Sequence, residues 1–116
     1  MYQFPIGVIL ESFRLDRSAA IRQAAAMGAN GIQMYATYGE NSADNLNAQA
    51  RRDLLREVKD NGLVFSALCG DLGHGFGDAD LNPKLIEQSK KIIDLALDLE
   101  TNVVTTHIGV VPTDPN

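Results

Sequence analysis

Stretches that read as buried strands alternate along the chain with stretches that read as amphipathic helices, with no linker between them. This alternation restricts the chain to a parallel α/β fold. Strand signals begin near residues 4, 31, 63 and 102, with the runs FPIGVIL (Phe4–Leu10), GIQMYA (Gly31–Ala36), LVFSALC (Leu63–Cys69) and NVVTTHI (Asn102–Ile108). Asp16 offers an N-cap to the first helix, in which Ile21, Ala24, Ala25 and Gly28 share one face. The second helix is predicted from about Asn47 to Asn61, with Ala50, Leu54, Leu55 and Val58 inward and Gly62 closing it. Asn82 followed by Pro83 predicts the third helix start as a cap and an N1 proline. Leu85, Ile86, Ser89, Ile92, Ile93, Ala96 and Leu97 are its expected inward face.

The order βαβαβαβ implies parallel strands with right-handed crossovers. One strand–helix unit takes about 33 residues, so eight take about 260, close to the roughly 250 of a (β/α)8 barrel. The expected architecture is therefore a partial (β/α)8 barrel with four parallel strands, residues 1–116 forming the N-terminal half of one barrel domain. A flavodoxin-like sheet shows the same alternation, but with a fifth strand and a final helix. Four parallel strands alone leave bare edges, so a truncated chain or self-association through those edges is expected.

Charge narrows the function classes. The net charge is −5, and the basic residues Arg22, Arg51, Arg52, Arg56, Lys59, Lys84, Lys90 and Lys91 are scattered over predicted helices. That pattern reads as solvated helix faces and supplies no groove for a nucleic acid backbone. No apolar run approaches the roughly 20 residues of a membrane helix, so no membrane partner is expected. The start lacks the basic and apolar regions of a secretion signal, and the single cysteine, Cys69, excludes an internal disulfide. A cytoplasmic setting is the expectation.

Three segments carry more than periodicity: GANGIQMYAT (Gly28–Thr37), FSALCGDLGHGFGD (Phe65–Asp78) and VVTTHIGVVP (Val103–Pro112). Together they resemble the xylose-isomerase-like TIM-barrel superfamily of sugar phosphate isomerases and epimerases. The resemblance covers nearly the whole chain but only about half of a family barrel. It implies chemistry at the carboxyl ends of the strands. It also implies a divalent metal (Mn, Mg or Zn) held in the parent protein by Glu, Asp, His and Glu of later strands. Two glutamates of such barrels move a proton beside a carbonyl. By strand order those groups lie beyond this sequence. No catalytic base, metal ligand or cofactor is therefore assigned to these residues, and the chain alone is expected to be inactive. The same superfamily includes zinc-dependent apurinic endonucleases, a reading that the acidic charge opposes. One departure is Glu100, which stands where many relatives place a glycine C-cap.

Four residues are substrate-binding candidates. His107 ends the fourth strand, where alternation puts Val103, Thr105 and His107 on one face; it reads as a pocket residue or as a half-buried histidine bonded to nearby backbone. His74 lies in the glycine-rich loop after the third strand, as a ligand contact or a plain loop residue. Asp71 orients a ligand or closes an Asx-turn. Cys69 lines a pocket or packs inertly, with no base placed beside it to make it a nucleophile. Glu11, Gln33, Tyr35 and Tyr38 are polar or aromatic at strand ends, with structural roles as the default. GHGFG matches a dinucleotide loop weakly, because no helix begins directly after it.

Overall fold

Each expected strand pairs with the next one in the chain. The structure is a computed structural model that describes residues 4–107. Strands β1 (Gly7–Ile9), β2 (Gly31–Tyr35), β3 (Val64–Cys69) and β4 (Val104–Thr105) form one sheet in the order β1-β2-β3-β4. Every pairing is parallel, with Ile32 opposite Phe65 and Cys69 opposite Thr105. Helices α1 (Arg17–Ala26), α2 (Ala48–Asp60) and α3 (Asn82–Asp98) make the crossovers. The architecture is the partial (β/α)8 barrel with four parallel strands that the sequence implies. No helix among the described residues is long and apolar enough to cross a membrane.

The strands are shorter than the apolar runs that announced them. Of the first run only Gly7–Ile9 pairs, while Phe4 and Ile6 are exposed. An outer strand has a ladder on one side only, so its ends are held less. In the fourth run Val104–Thr105 pair, and Ile108 onward lies outside the described residues.

Two helix starts follow the sequence. The Asp16 carboxylate accepts the Ala19 N–H at 2.8 Å, and the Asn47 side-chain carbonyl accepts the Ala50 N–H at 2.8 Å. The third differs. Asn82 is the first residue inside α3, and Leu81 precedes it without a side-chain cap. The Asn82 amide instead donates to the Phe76 carbonyl at 2.9 Å, and its own N–H donates to the Asp78 carbonyl at 3.1 Å. Asp78 organises this turn, its carboxylate accepting the Asp80 N–H at 2.9 Å. The loop folds back on the helix start and takes the amide that a cap would have used.

The core lies between the sheet and its helices. Ile21, Ile32, Leu54, Val58, Leu68 and Leu95 are among its buried members. On α3 the buried line is Leu85, Ile92, Leu95 and Ala96, whereas Ile86, Ile93 and Leu97 face outward. Two adjacent apolar stripes run along this helix, and periodicity cannot say which one meets the sheet. The backbone after α3 answers the glycine expected at its end. Glu100 adopts φ +60°, the conformation that Gly28 and Gly62 adopt after α1 and α2. A non-glycine residue is strained there by about 1–2 kcal/mol. Its carboxylate meets Lys59 Nζ at 2.5 Å with both side chains half exposed, a contact of small worth.

Arg51 was expected on a solvated face, but only 15% of its side chain is exposed. Its guanidinium donates to the carbonyls of Leu46 (2.8 Å) and Ala43 (2.9 Å) and pairs with Asp98 at 2.8 Å. It thereby ties the β2–α2 loop to α2 and α3.

Two outcomes follow from these contacts. Glu100→Gly is expected to stabilise the chain by about 0.5–1 kcal/mol, read as a higher urea midpoint with an unchanged slope. Arg51→Ala is expected to cost about 2 kcal/mol because two loop carbonyls lose a charged donor, whereas Asp98→Ala, removing only the exposed partner, costs under about 1 kcal/mol.

Candidate functional site at the carboxyl rim

Parallel strands deliver all their carboxyl ends to one edge of the sheet, and the polar residues of the strand-end loops gather there. The closest approach on this rim is at Gly70. Its N–H donates to the Thr105 carbonyl at 2.7 Å, and a Cβ at Gly70 would lie 2.9 Å from Val104 Cγ1. Only a residue without a side chain allows β3 and β4 to run this close. Asp71 follows immediately. Its Oδ1 accepts the Gly73 N–H at 3.0 Å, and its Oδ2 lies 2.6 Å from His107 Nδ1. Gly73 has φ +81°, which completes the tight turn around the carboxylate.

Of the two roles considered for it, Asp71 takes the turn-former's, and its second oxygen meets His107. The Gly73 N–H, and next the His107 imidazole, hold its carboxyl below the usual carboxylate range. With Nδ1 engaged, the exposed His107 ring is left with Nε2 as its free nitrogen.

Beside this pair is a cleft of about 550 Å³. Tyr35 and Tyr38 line it from the end of β2, Asp71 and His74 from the loop after β3, and Lys84 and Gln88 from α3. The two tyrosine rings lie 5.7 Å apart at an interplanar angle of 34°, giving one side an aromatic surface. Glu11 braces that side, because its Oε1 accepts the Tyr35 N–H at 2.9 Å while Oε2 is buried without a partner among the described residues.

The structure thus brings Asp71 and His107 into contact and sets Asp71 and His74 on the cleft wall, while the exposed His107 lies outside its lining. Cys69 is the half-buried last residue of β3, opposite Tyr35 and Thr105, and does not line the cleft. Lys84 and Gln88 were not singled out in the sequence. They sit on a helix whose pattern advertises only its apolar stripe, and no local signal tells that its first turns reach the rim. Among the described residues no three His, Cys, Asp or Glu side chains converge. Asp71 and His107 together offer a metal ion two ligands, fewer than a metal centre needs.

Residues 21–116 match the family model for the xylose isomerase-like TIM barrel, and the chain belongs to that family. Three solved structures are similar in fold. A xylose isomerase domain protein from Planctomyces limnophilus superposes with a TM-score of 0.75 at 15% identity, over 97% of this chain and 44% of its own. D-psicose 3-epimerase, solved in the presence of D-fructose, gives 0.71 at 13% identity, over 96% of this chain and 40% of its own. The probable 3-DHS dehydratase AsbF of Bacillus anthracis, involved in petrobactin synthesis, gives 0.67 at 23% identity, over 89% and 38%. The chain thus spans less than half the length of each of these structures. No curated protein matches it.

The Asp71 environment sets a pH expectation. Its lowered carboxyl pKa means that the Gly73 and His107 contacts contribute stability above the ordinary carboxylate range, lost as pH falls through the lowered value. Carbon-detected NMR titration should place the Asp71 midpoint below about 3.9, the ordinary value. In His107→Ala the midpoint should rise only part of the way, because the Gly73 N–H is the larger cause.

Proposed function

We propose that these residues form the first four strands of an eight-stranded barrel that isomerises or epimerises a sugar or sugar phosphate by moving a proton beside a carbonyl. The observation that carries this reading is the Asp71–His107 pair at the carboxyl rim, next to a cleft with one aromatic wall. Family membership and the fold shared with an epimerase support it.

In this reading the chain supplies binding and orientation. Tyr35 and Tyr38 pack against the carbon face of the sugar, as aromatic surfaces do against apolar C–H groups. His107 presents Nε2 to a substrate hydroxyl, with Asp71 fixing the ring. His74 donates to a second hydroxyl. The proton-moving carboxylates and the ligands of a divalent metal would come from strands after β4. A bound metal would polarise the carbonyl and stabilise the charge that develops on its oxygen. Positioning of this kind is worth orders of magnitude in rate when the bound geometry is held tightly.

The test joins this chain to the coding sequence downstream of Asn116. Ketoses are incubated with the product in D₂O with and without Mn²⁺, and deuterium entry beside the carbonyl is read by NMR. Exchange should require the longer chain, and His107→Ala should lower kcat/KM by at least about tenfold. Turnover by the 116-residue chain alone, or no exchange with any ketose in the longer one, sinks the reading.

A further inference from the structure

Of the two apolar stripes on α3, only one meets the sheet. The other is made of Ile86, Ile93 and Leu97, which are 47%, 51% and 70% exposed. Positions 86, 90, 93 and 97 are spaced by four, three and four, so these residues and the exposed Lys90 form one line along the helix. The line is about 16 Å long. It faces away from α2, because Asp98 and Lys91, which reach Arg51 of α2 and Asp44 of the β2–α2 loop, lie about 100° further round the helix. The groove between α3 and β4, lined by Ser89, Ile92 and Val104, touches the line only at Ile93. A further crossover helix beside β4 would sit in that groove and leave Ile86, Lys90 and Leu97 facing out. Exposed Asp94 flanks the line on the side of Lys90, and neither is in an ion pair among the described residues.

We propose that this face of α3 pairs with α3 of a second copy of the chain, antiparallel across a two-fold axis level with Ile92. The pairing is independent of the chemistry proposed for the carboxyl rim. Reversing the helix about that level puts Lys90 at the height of the partner's Asp94, and Asp94 at the height of the partner's Lys90. Ile86 comes within about 1.5 Å of the height of the partner's Leu97, and Ile93 within about 3 Å of that of the partner's Ile93. Apolar residues therefore meet apolar ones, and both charges meet their opposites. The charges select the occupant. A parallel copy would set Lys90 against Lys90, and an unrelated apolar helix would leave both charges unanswered. A two-fold pairing needs one self-complementary patch, which this face supplies. One helix pair is smaller than the roughly 800 Å² per partner of a stable interface, so the dimer is weak and reversible.

Sedimentation equilibrium of the full 116-residue chain tests this and should show monomer and dimer in exchange. Lys90→Glu and Asp94→Lys each set like charges across the axis, and each should weaken the dimer at least about tenfold. An equimolar mixture of these two variants should recover dimers, since every charge again meets its opposite; a change confined to one helix would not be repaired by mixing. Ile93→Gln should weaken the dimer without altering charge. Far-UV circular dichroism checks that each variant folds, as expected for substitutions at exposed positions. A monomer at every concentration up to about 1 mM overturns the inference. So does association that none of the three substitutions weakens, as pairing through the β1 and β4 edges would be, or a mixture that associates no better than its components.

Discussion

A parallel pair of strands cannot be joined by a tight turn. The chain must cross over, and here α1, α2 and α3 make the three crossings. The crossover helices cover the same sheet face that buries Ile32 and Leu68, so one set of apolar contacts secures both sheet and helices. The same constraint sends every loop that follows a strand to one edge. That is why Tyr35, Asp71 and His107, far apart in sequence, end β2, follow β3 and follow β4 on a common rim. No interaction between these side chains is needed to assemble them. The Asp71–His107 contact then uses a proximity that backbone pairing has already created.

The close run of β3 beside β4 shows how packing and site are linked. Gly70 is followed at once by the carboxylate that reaches across to β4. Any residue with a Cβ at Gly70 would press on Val104 and on the Thr105 carbonyl. At the other end of β4, the buried Thr101 hydroxyl donates to the Ser66 carbonyl at 3.1 Å and fixes where the strand enters. A 2.6 Å contact between an aspartate and an exposed imidazole has little reason to form on a free surface, since both groups are well solvated there. It forms where β3 and β4 run side by side, so that the residues following them are already neighbours.

Strand order, helix positions and the parallel sheet were legible because apolar periodicity states them directly. So were two caps, Asp16 and Asn47, whose chemistry is local. The third start misled because Asn82 is bound by a loop that folds back from Phe76, and a contact six residues away leaves no mark on a capping pattern. On α3, Ile93 and Leu95 are equally apolar, and only tertiary packing shows that Leu95 is buried while Ile93 is half exposed. At the rim, Asp71, His74 and His107 were visible as polar residues at strand ends. Lys84 was not, since a lysine on a helix normally reads as a solubilising charge. Its place in the cleft follows from the length and path of the β3–α3 loop, which no residue pattern encodes.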